Sequence, residues 1–221
     1  DELEEIVTCS STGMLNKFRL REILFETQRQ IDVSSFDKNV HAAKLKYLKN
    51  GALIVLDSDM EIHIKNGQDW IKVEQENSHQ KFVEMEVFEN RLFLAGKNSV
   101  HIFDYSQDLK TLKFSLKIEV QELLESLTNK PRLDYLRSIH ALSFDEILVC
   151  DASGLAVNIN HNKLKNLFQI PKSIEPWTTA VAKFEGCFWL LGDRVGNLYL
   201  YKTEKSSETI SSPVQKIWKL H

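Results

Sequence analysis

The chain repeats one pattern of hydrophobic and polar positions: a short apolar run, a tight polar turn, and a run in which apolar and polar residues alternate. The pattern occurs five times, with turns that end at Gly13, Asp59, Ser99, Gly154 and Gly196, in steps of 46, 40, 55 and 42 residues. A continuous apolar run is typical of a strand buried on both faces, whereas alternation is typical of a strand with one exposed face. The pattern therefore predicts five antiparallel hairpins.

Further strands flank the hairpins and complete a larger repeat. Inner strands are predicted at residues 41–48, 82–88, 136–142 and 177–182, and outer strands at 69–74, 112–118 and 164–170. Four strands in each repeat of about 40–45 residues are typical of a β-propeller blade. A β-sandwich is the alternative all-β fold, but the regular steps favour the propeller.

The ends of the chain are predicted to hold partial blades around about four full ones. The first blade lacks an inner strand, and residues 214–220 are predicted to begin a further blade or, alternatively, to complete the first blade and close a ring of five. Residues 1–221 are thus predicted to be part or all of one propeller domain. The chain begins without Met, which favours a piece of a longer multi-propeller protein.

The turn residues have a structural explanation. Gly196 is predicted to adopt a positive φ, which glycine tolerates best. The carboxylates of Asp57, Asp59, Asp151 and Asp193 follow apolar strands and are predicted to bond the turn backbone rather than to perform acid–base chemistry.

One stretch departs from the strand pattern. Apolar residues recur at helical spacing between Glu119 and Leu127, and Pro131 follows. A helical insert at about 119–135 explains the long 55-residue step. This insert is expected either to pack on the rim or to dock a partner.

Composition excludes several classes of protein. The net charge is −3, so no global field attracts nucleic acid or acidic lipid, and such contacts must be local. The apolar runs are far shorter than a membrane-spanning helix, and no membrane association is predicted. The three cysteines are odd in number and far apart, which favours a reducing compartment over a disulfide framework.

Candidate chemistry is sparse. His63 and His101 occupy equivalent positions in neighbouring repeats, but no zinc-type spacing accompanies them, and His140 is expected to be a hydrogen-bonded core histidine. Phosphate loops and serine-hydrolase elbows are also missing. The sequence therefore predicts no enzyme: no catalytic residue, cofactor site, metal site or small-molecule substrate.

Basic residues cluster around the insert. Lys130, Arg132 and Arg137 follow the acidic helical stretch, and the charge changes sign just beyond Pro131. Such a change of sign can orient a charged partner. These three residues are predicted to contribute to docking.

The C-terminal third resembles a known family. It contains Trp177, a turn and strand from Gly192-Asp-Arg-Val-Gly196 to Tyr201, then Pro213-Val214 and Leu220-His221; upstream, residues 136–142 and 146–154 also fit. These motifs resemble the WD repeat-containing protein six family and its fungal counterparts. The Gly-His and Trp-Asp marks of WD repeats are missing, so the blades are WD40-like but degenerate.

The resemblance implies a cytoplasmic scaffold without an active site. Members of this family partner a tRNA 2′-O-ribose methyltransferase and help to place the wobble nucleotide of the anticodon. The methyltransferase would bind S-adenosylmethionine, and tRNA itself is a possible contact. The alternative function is a generic protein-interaction propeller, such as a trafficking or signalling adaptor, which the net charge of −3 suits better.

Overall fold

The computed structural model is built of short strands joined by tight turns, as the hydrophobic pattern predicts. It describes residues 5–9, 14–19, 32–35, 42–48, 53–57, 59, 61–66, 69–72, 81–105, 112–171, 175–203, 211–212 and 214–219. Within these ranges the structure has one α-helix, of six residues, and so no helix long and apolar enough to cross a membrane. The predicted turn at Gly13 lies outside the described residues.

Residues 1–78 form one compact unit with two antiparallel sheets. Its strands are Glu5–Cys9 (β1), Met14–Arg19 (β2), Asp32–Ser35 (β3), Ala42–Tyr47 (β4), Leu53–Asp57 (β5), Ile62–Asn66 (β6) and Asp69–Lys72 (β7). The sheet orders are β1-β2-β3 and β4-β5-β6-β7. The three-stranded sheet has the predicted form of a blade without its inner strand, and the second sheet is a full blade.

Residues 79–221 form a second compact unit with three sheets. The third and fourth sheets of the chain use Glu84–Phe88 (β8), Arg91–Ala95 (β9), Ser99–Tyr105 (β10), Leu112–Glu119 (β11), Leu136–Ala141 (β12), Glu146–Asp151 (β13), Leu155–Asn160 (β14) and Lys163–Gln169 (β15). The fifth sheet uses Thr178–Phe184 (β16), Phe188–Asp193 (β17) and Asn197–Lys202 (β18), joined by a fourth strand described below. Within each sheet these strands follow chain order from inner to outer, as expected for propeller blades.

The end of the chain corrects one expectation. Val214–Lys219 (β20) does not begin a further blade but pairs antiparallel with β18, so it is the outer strand of the fifth sheet. This pairing also replaces the alternative in which these residues complete the first sheet. The expectation was wrong because the chain does not return directly from β18 to β20. Ser211–Ser212 (β19) first pairs parallel with β15 of the fourth sheet, and the connection from β18 to β20 is therefore too long to recognise as a hairpin.

The predicted insert contains a short helix, Val120–Glu125 (α1), and its apolar side is buried. Val120 and Leu124 lie in the core between the third and fourth sheets, where Leu123 and Leu127 pack from its edge. The predicted packing role of the insert is therefore confirmed. A second core, around Phe168 and Trp189, lies between the fourth and fifth sheets.

Positive φ angles occur at the turns that the sequence marks with glycine. Gly154 has φ of 86° and Gly196 has φ of 87°, which confirms the prediction for Gly196. In the three-residue turn between β16 and β17, both Glu185 and Gly186 have positive φ.

Candidate interaction surface

Three of the turn carboxylates are buried and hold the turn between the two middle strands of their sheets. In each case the N–H four residues further on donates to Oδ1 at 2.8 Å: Glu61 to Asp57, Leu155 to Asp151 and Asn197 to Asp193. This confirms the predicted role of these aspartates in the turns. Oδ1 of each carboxylate is thus engaged by the turn backbone.

Asp193 shows the electrostatic consequence. Burial by itself raises the pKa of this carboxyl, but donors from Asn197, Tyr199 and Val195 outweigh burial and lower the pKa below its ordinary value. Asn197 Nδ2 and the Tyr199 hydroxyl donate to Oδ2 at 2.7 and 2.8 Å. The carboxylate is thus held ionised as part of the fold.

The second sheet brings together a group that the sequence spacing does not reveal. Ligand-type atoms of Asp57, Glu61 and His63 lie within 4.8 Å of one another. However, His63 Nε2 is 2.7 Å from Asp57 Oδ2, and the Lys72 ammonium is 2.7 Å from Glu61 Oε2. The group therefore has internal partners, a hydrogen bond between His63 and Asp57 and an ion pair between Lys72 and Glu61.

His140 links the inner strands of the fourth and fifth sheets. Its Nε2 lies 3.1 Å from the Thr178 hydroxyl, which is itself 2.8 Å from the Ser138 hydroxyl. The predicted hydrogen bonds of His140 are present, but the residue is half-buried rather than part of the core. Nearby, burial raises the pKa of the Cys150 thiol to about 12, so this cysteine is an unreactive core residue.

Lys130 and Arg132 lie between α1 and β12, and Arg137 is the second residue of β12. Lys130, Arg132 and Arg137 are all exposed. Among the described residues, no carboxylate lies within ion-pair distance of any of them, whereas Arg194 pairs with Glu175 at 3.1 Å. We call residues 130–137 the basic segment; its cationic charge is locally uncompensated.

Hydrogen bonds made by the backbone of the basic segment fix it to α1 and to the neighbouring strands and turns. They run from Leu133 N–H to Gln121 Oε1 (2.9 Å), from Asp134 N–H to Asp151 Oδ2 (2.8 Å), from Ala152 N–H to the Tyr135 carbonyl (3.0 Å) and from Leu136 N–H to the Lys97 carbonyl (2.8 Å). The helix thus contributes Gln121 as an anchor. The segment is held in place before any partner arrives, which lowers the entropic cost of binding.

Two aromatic rings lie against the end of the basic segment. The Arg137 guanidinium carbon is 4.5 Å from the centre of the Tyr135 ring and 5.1 Å from that of the Trp177 ring. Arg137 Nη2 also donates to the Tyr135 hydroxyl at 2.7 Å. Both residues are half-buried. We call Tyr135, Arg137 and Trp177 the aromatic–arginine cluster.

The sequence analysis did not include Trp177 among the docking residues. A signal was present, because Trp177 directly precedes inner strand β16 as Tyr135 directly precedes inner strand β12. Equivalent positions of adjacent blades lie side by side in a propeller. Of the predicted residues, the structure places Arg137 in the cluster, and Lys130 and Arg132 on the segment that leads to it.

No protein-family model matches the chain. Over 218 residues the chain is 23% identical to the tRNA (34-2′-O)-methyltransferase regulator WDR6 of Drosophila melanogaster, covering 94% of this chain and 21% of that protein. The chain therefore spans about a fifth of the length of this curated relative. The similarity extends well beyond residues 136–221, where the motifs are clearest.

A solved structure supports the architecture. The chain aligns over its whole length with the WD40 beta propeller domain of Doa1, with a TM-score of 0.66 and 10% sequence identity, covering 66% of that chain. At this identity the likeness concerns the fold alone. The chain thus has the fold of a WD40 β-propeller and resembles the WD repeat-containing protein six family over nearly its whole length.

Proposed function

We propose that this chain belongs to a non-catalytic scaffold subunit that assists a tRNA 2′-O-ribose methyltransferase at the wobble nucleotide of the anticodon. The observation that carries the proposal is the similarity, over 94% of the chain, to a regulator of a tRNA (34-2′-O)-methyltransferase. The propeller fold agrees with this role, because a rigid array of blades presents loops for binding. In this proposal the complex works in the cytoplasm, a location that the family resemblance supports.

The proposal divides the work between two proteins. The methyltransferase binds S-adenosylmethionine and carries out methyl transfer, while this chain helps to position the substrate. The described side chains support such a division, since buried carboxylates such as Asp151 and Asp193 are committed to turns. The Cys150 thiol is likewise buried and unreactive.

In this proposal Lys130, Arg132 and Arg137 form the docking surface for the methyltransferase–tRNA complex. Their exposed charges have no described carboxylate partner, and the basic segment is fixed by the blades behind it. Exposed charges contribute little to the stability of the fold. The fold therefore does not depend on these three charges, and they can bind a partner.

A methylation assay tests the proposed function. The full-length protein is added to the purified methyltransferase and its tRNA, and 2′-O-methylation of nucleotide 34 is followed by mass spectrometry of the digested tRNA. We expect faster methylation in the presence of the protein. An unchanged rate of methylation, together with no complex between the two proteins, would overturn the scaffold role.

Charge reversal tests the docking residues. Arg132→Glu combined with Arg137→Glu should weaken the complex at about 50 mM salt, and the difference should shrink at about 300 mM salt because ions screen the attraction. Lys163→Glu combined with Lys165→Glu is the matched control, since these exposed lysines lie on outer strand β15. If both double variants bind equally well at low salt, the basic segment has no docking role.

A further inference from the structure

We infer that the aromatic–arginine cluster and the neighbouring cations of the basic segment bind unpaired nucleotides of an RNA. A base stacks on the cluster, and the adjoining phosphates lie against Lys130 and Arg132. This inference rests on the proposed function and deepens it, because it names RNA, rather than the methyltransferase, as the partner of this surface.

The charge of the surface favours a polyanion. Some cations of the second unit are neutralised, since Arg91 bonds Asp104 at 2.8 Å and Lys183 bonds Glu146 at 2.7 Å. Lys130, Arg132 and Arg137 have no such described partner, although the acidic Asp134 lies within the same segment. Local uncompensated charge can bind phosphates even though the net charge of the chain is −3.

The aromatic groups distinguish RNA from an acidic protein. An acidic peptide needs only the cations, whereas an unpaired nucleotide offers a phosphate and a flat base together. Bases of single-stranded RNA stack on aromatic rings and on guanidinium planes, and here Arg137 lies 4.5 Å from the Tyr135 ring and 5.1 Å from the Trp177 ring. Base-paired RNA hides its base faces, so the cluster selects loops and single strands.

The surface is formed before RNA binds. The Asp134 N–H donates to Asp151 Oδ2, and the Ala152 N–H donates to the Tyr135 carbonyl. The turn between β13 and β14 of the fourth sheet therefore holds the Tyr135 backbone in position. Trp177 directly precedes strand β16 and packs against the core between the fourth and fifth sheets. A site built on two blades in this way holds its rings without a folding step.

Fluorescence anisotropy with a labelled, unstructured ten-nucleotide RNA tests the inference directly. Tyr135→Ala and Trp177→Ala should each weaken binding by about 5-fold or more, the loss expected for one stacked base. Phe114→Ala, which removes an exposed ring on outer strand β11, should leave binding unchanged, and Trp177→Phe should retain most of it. Arg132→Gln should reduce the steepness of the salt dependence by about one phosphate contact.

The outcomes separate this inference from the proposed function. If the wild-type protein does not bind the RNA, or if the ring variants bind as tightly as wild type, the inference is overturned. Loss of methyltransferase binding in the Arg132→Glu and Arg137→Glu variant would then identify a protein-docking surface, and the scaffold role would stand. RNA binding that depends on the rings, without any effect of the protein on methylation, would support the inference and overturn the proposed function.

Discussion

At the scale of single residues, Gly154 combines two constraints in the turn that supports the basic segment. Its φ is 86°, and an added Cβ would lie 2.9 Å from the Pro176 Cβ and 3.2 Å from the Ile170 carbonyl oxygen. Gly154→Ala should therefore lower the free energy of unfolding by about 2 kcal/mol or more, from backbone strain and steric overlap together.

Gly186 provides the matched comparison for this prediction. Its φ is 70°, but an added Cβ would meet nothing within 4 Å. Gly186→Ala should cost only the strain, about 1 kcal/mol. Chemical denaturation of both variants measures the difference, and equal losses would show that the close approach at Gly154 relaxes without cost.

Asp193 should make the stability of the fifth sheet depend on pH. The folded state holds the pKa of this carboxyl below its ordinary value, so its contribution is present at neutral pH and is lost as the pH falls through the folded pKa. Asp193→Asn should lower the free energy of unfolding by about 1–3 kcal/mol at neutral pH, because it disturbs charge-assisted hydrogen bonds.

Urea unfolding at about pH 7 and about pH 3 tests this assignment. The urea midpoint of Asp193→Asn should fall less between the two pH values than that of the wild type. Asp59→Asn, at an exposed turn position, controls for the loss of one negative charge. A wild-type midpoint that depends on pH no more than that of Asp193→Asn would contradict the proposed contribution of the ionised carboxylate.

At the scale of elements, strand β17 has two different faces. Leu191 is fully buried in the core shared with the fourth sheet, whereas its neighbour Leu190 points to the opposite face and is half-buried. Leu191→Ala should cost about 2–5 kcal/mol, and Leu190→Ala much less in the 221-residue chain. Thermal unfolding of the two variants compares one side chain at adjacent positions, and equal losses would mean that the second face is also covered.

The uneven burial of β17 bears on the extent of the domain. The opposite face of the fifth sheet also carries the half-buried Leu198 and Leu200 and the exposed Phe184, whereas the fourth sheet packs on both sides. We propose that a further blade of the same propeller covers this apolar face in the full-length protein. Leu190→Ala should then destabilise the full-length protein more than it destabilises the 221-residue chain.

The strands could be predicted because each hairpin is specified by residues that are close together in the sequence. An apolar run, a tight turn and an alternating run specify both a hairpin and its buried face, so Gly196 and Asp193 could be interpreted correctly from sequence. The position of β20 was not predictable, since it depends on a detour along β15 that no local pattern encodes. The contact of Trp177 with Arg137 joins residues 40 positions apart and likewise required the packing of two blades.

At the scale of the whole molecule, the net charge of the chain and the local charge of its surface predict different types of binding partner. The net charge of −3 suits a protein-interaction module, but many acidic groups are already engaged in turns and ion pairs. The three cations of the basic segment have no carboxylate within ion-pair distance among the described residues. A scaffold can therefore carry a local RNA-binding surface without attracting nucleic acid over its whole surface.

A further whole-molecule prediction is that the chain binds neither S-adenosylmethionine nor a divalent metal. In the second sheet, a metal would have to break the hydrogen bond between His63 and Asp57 and the ion pair between the Lys72 ammonium and Glu61. Isothermal titration calorimetry should give no saturable heat with S-adenosylmethionine or zinc, with the methyltransferase as the positive control for S-adenosylmethionine. One-to-one binding of S-adenosylmethionine would contradict the division of labour between the two proteins. Zinc binding that His63→Ala abolishes would instead assign a metal site to the second sheet.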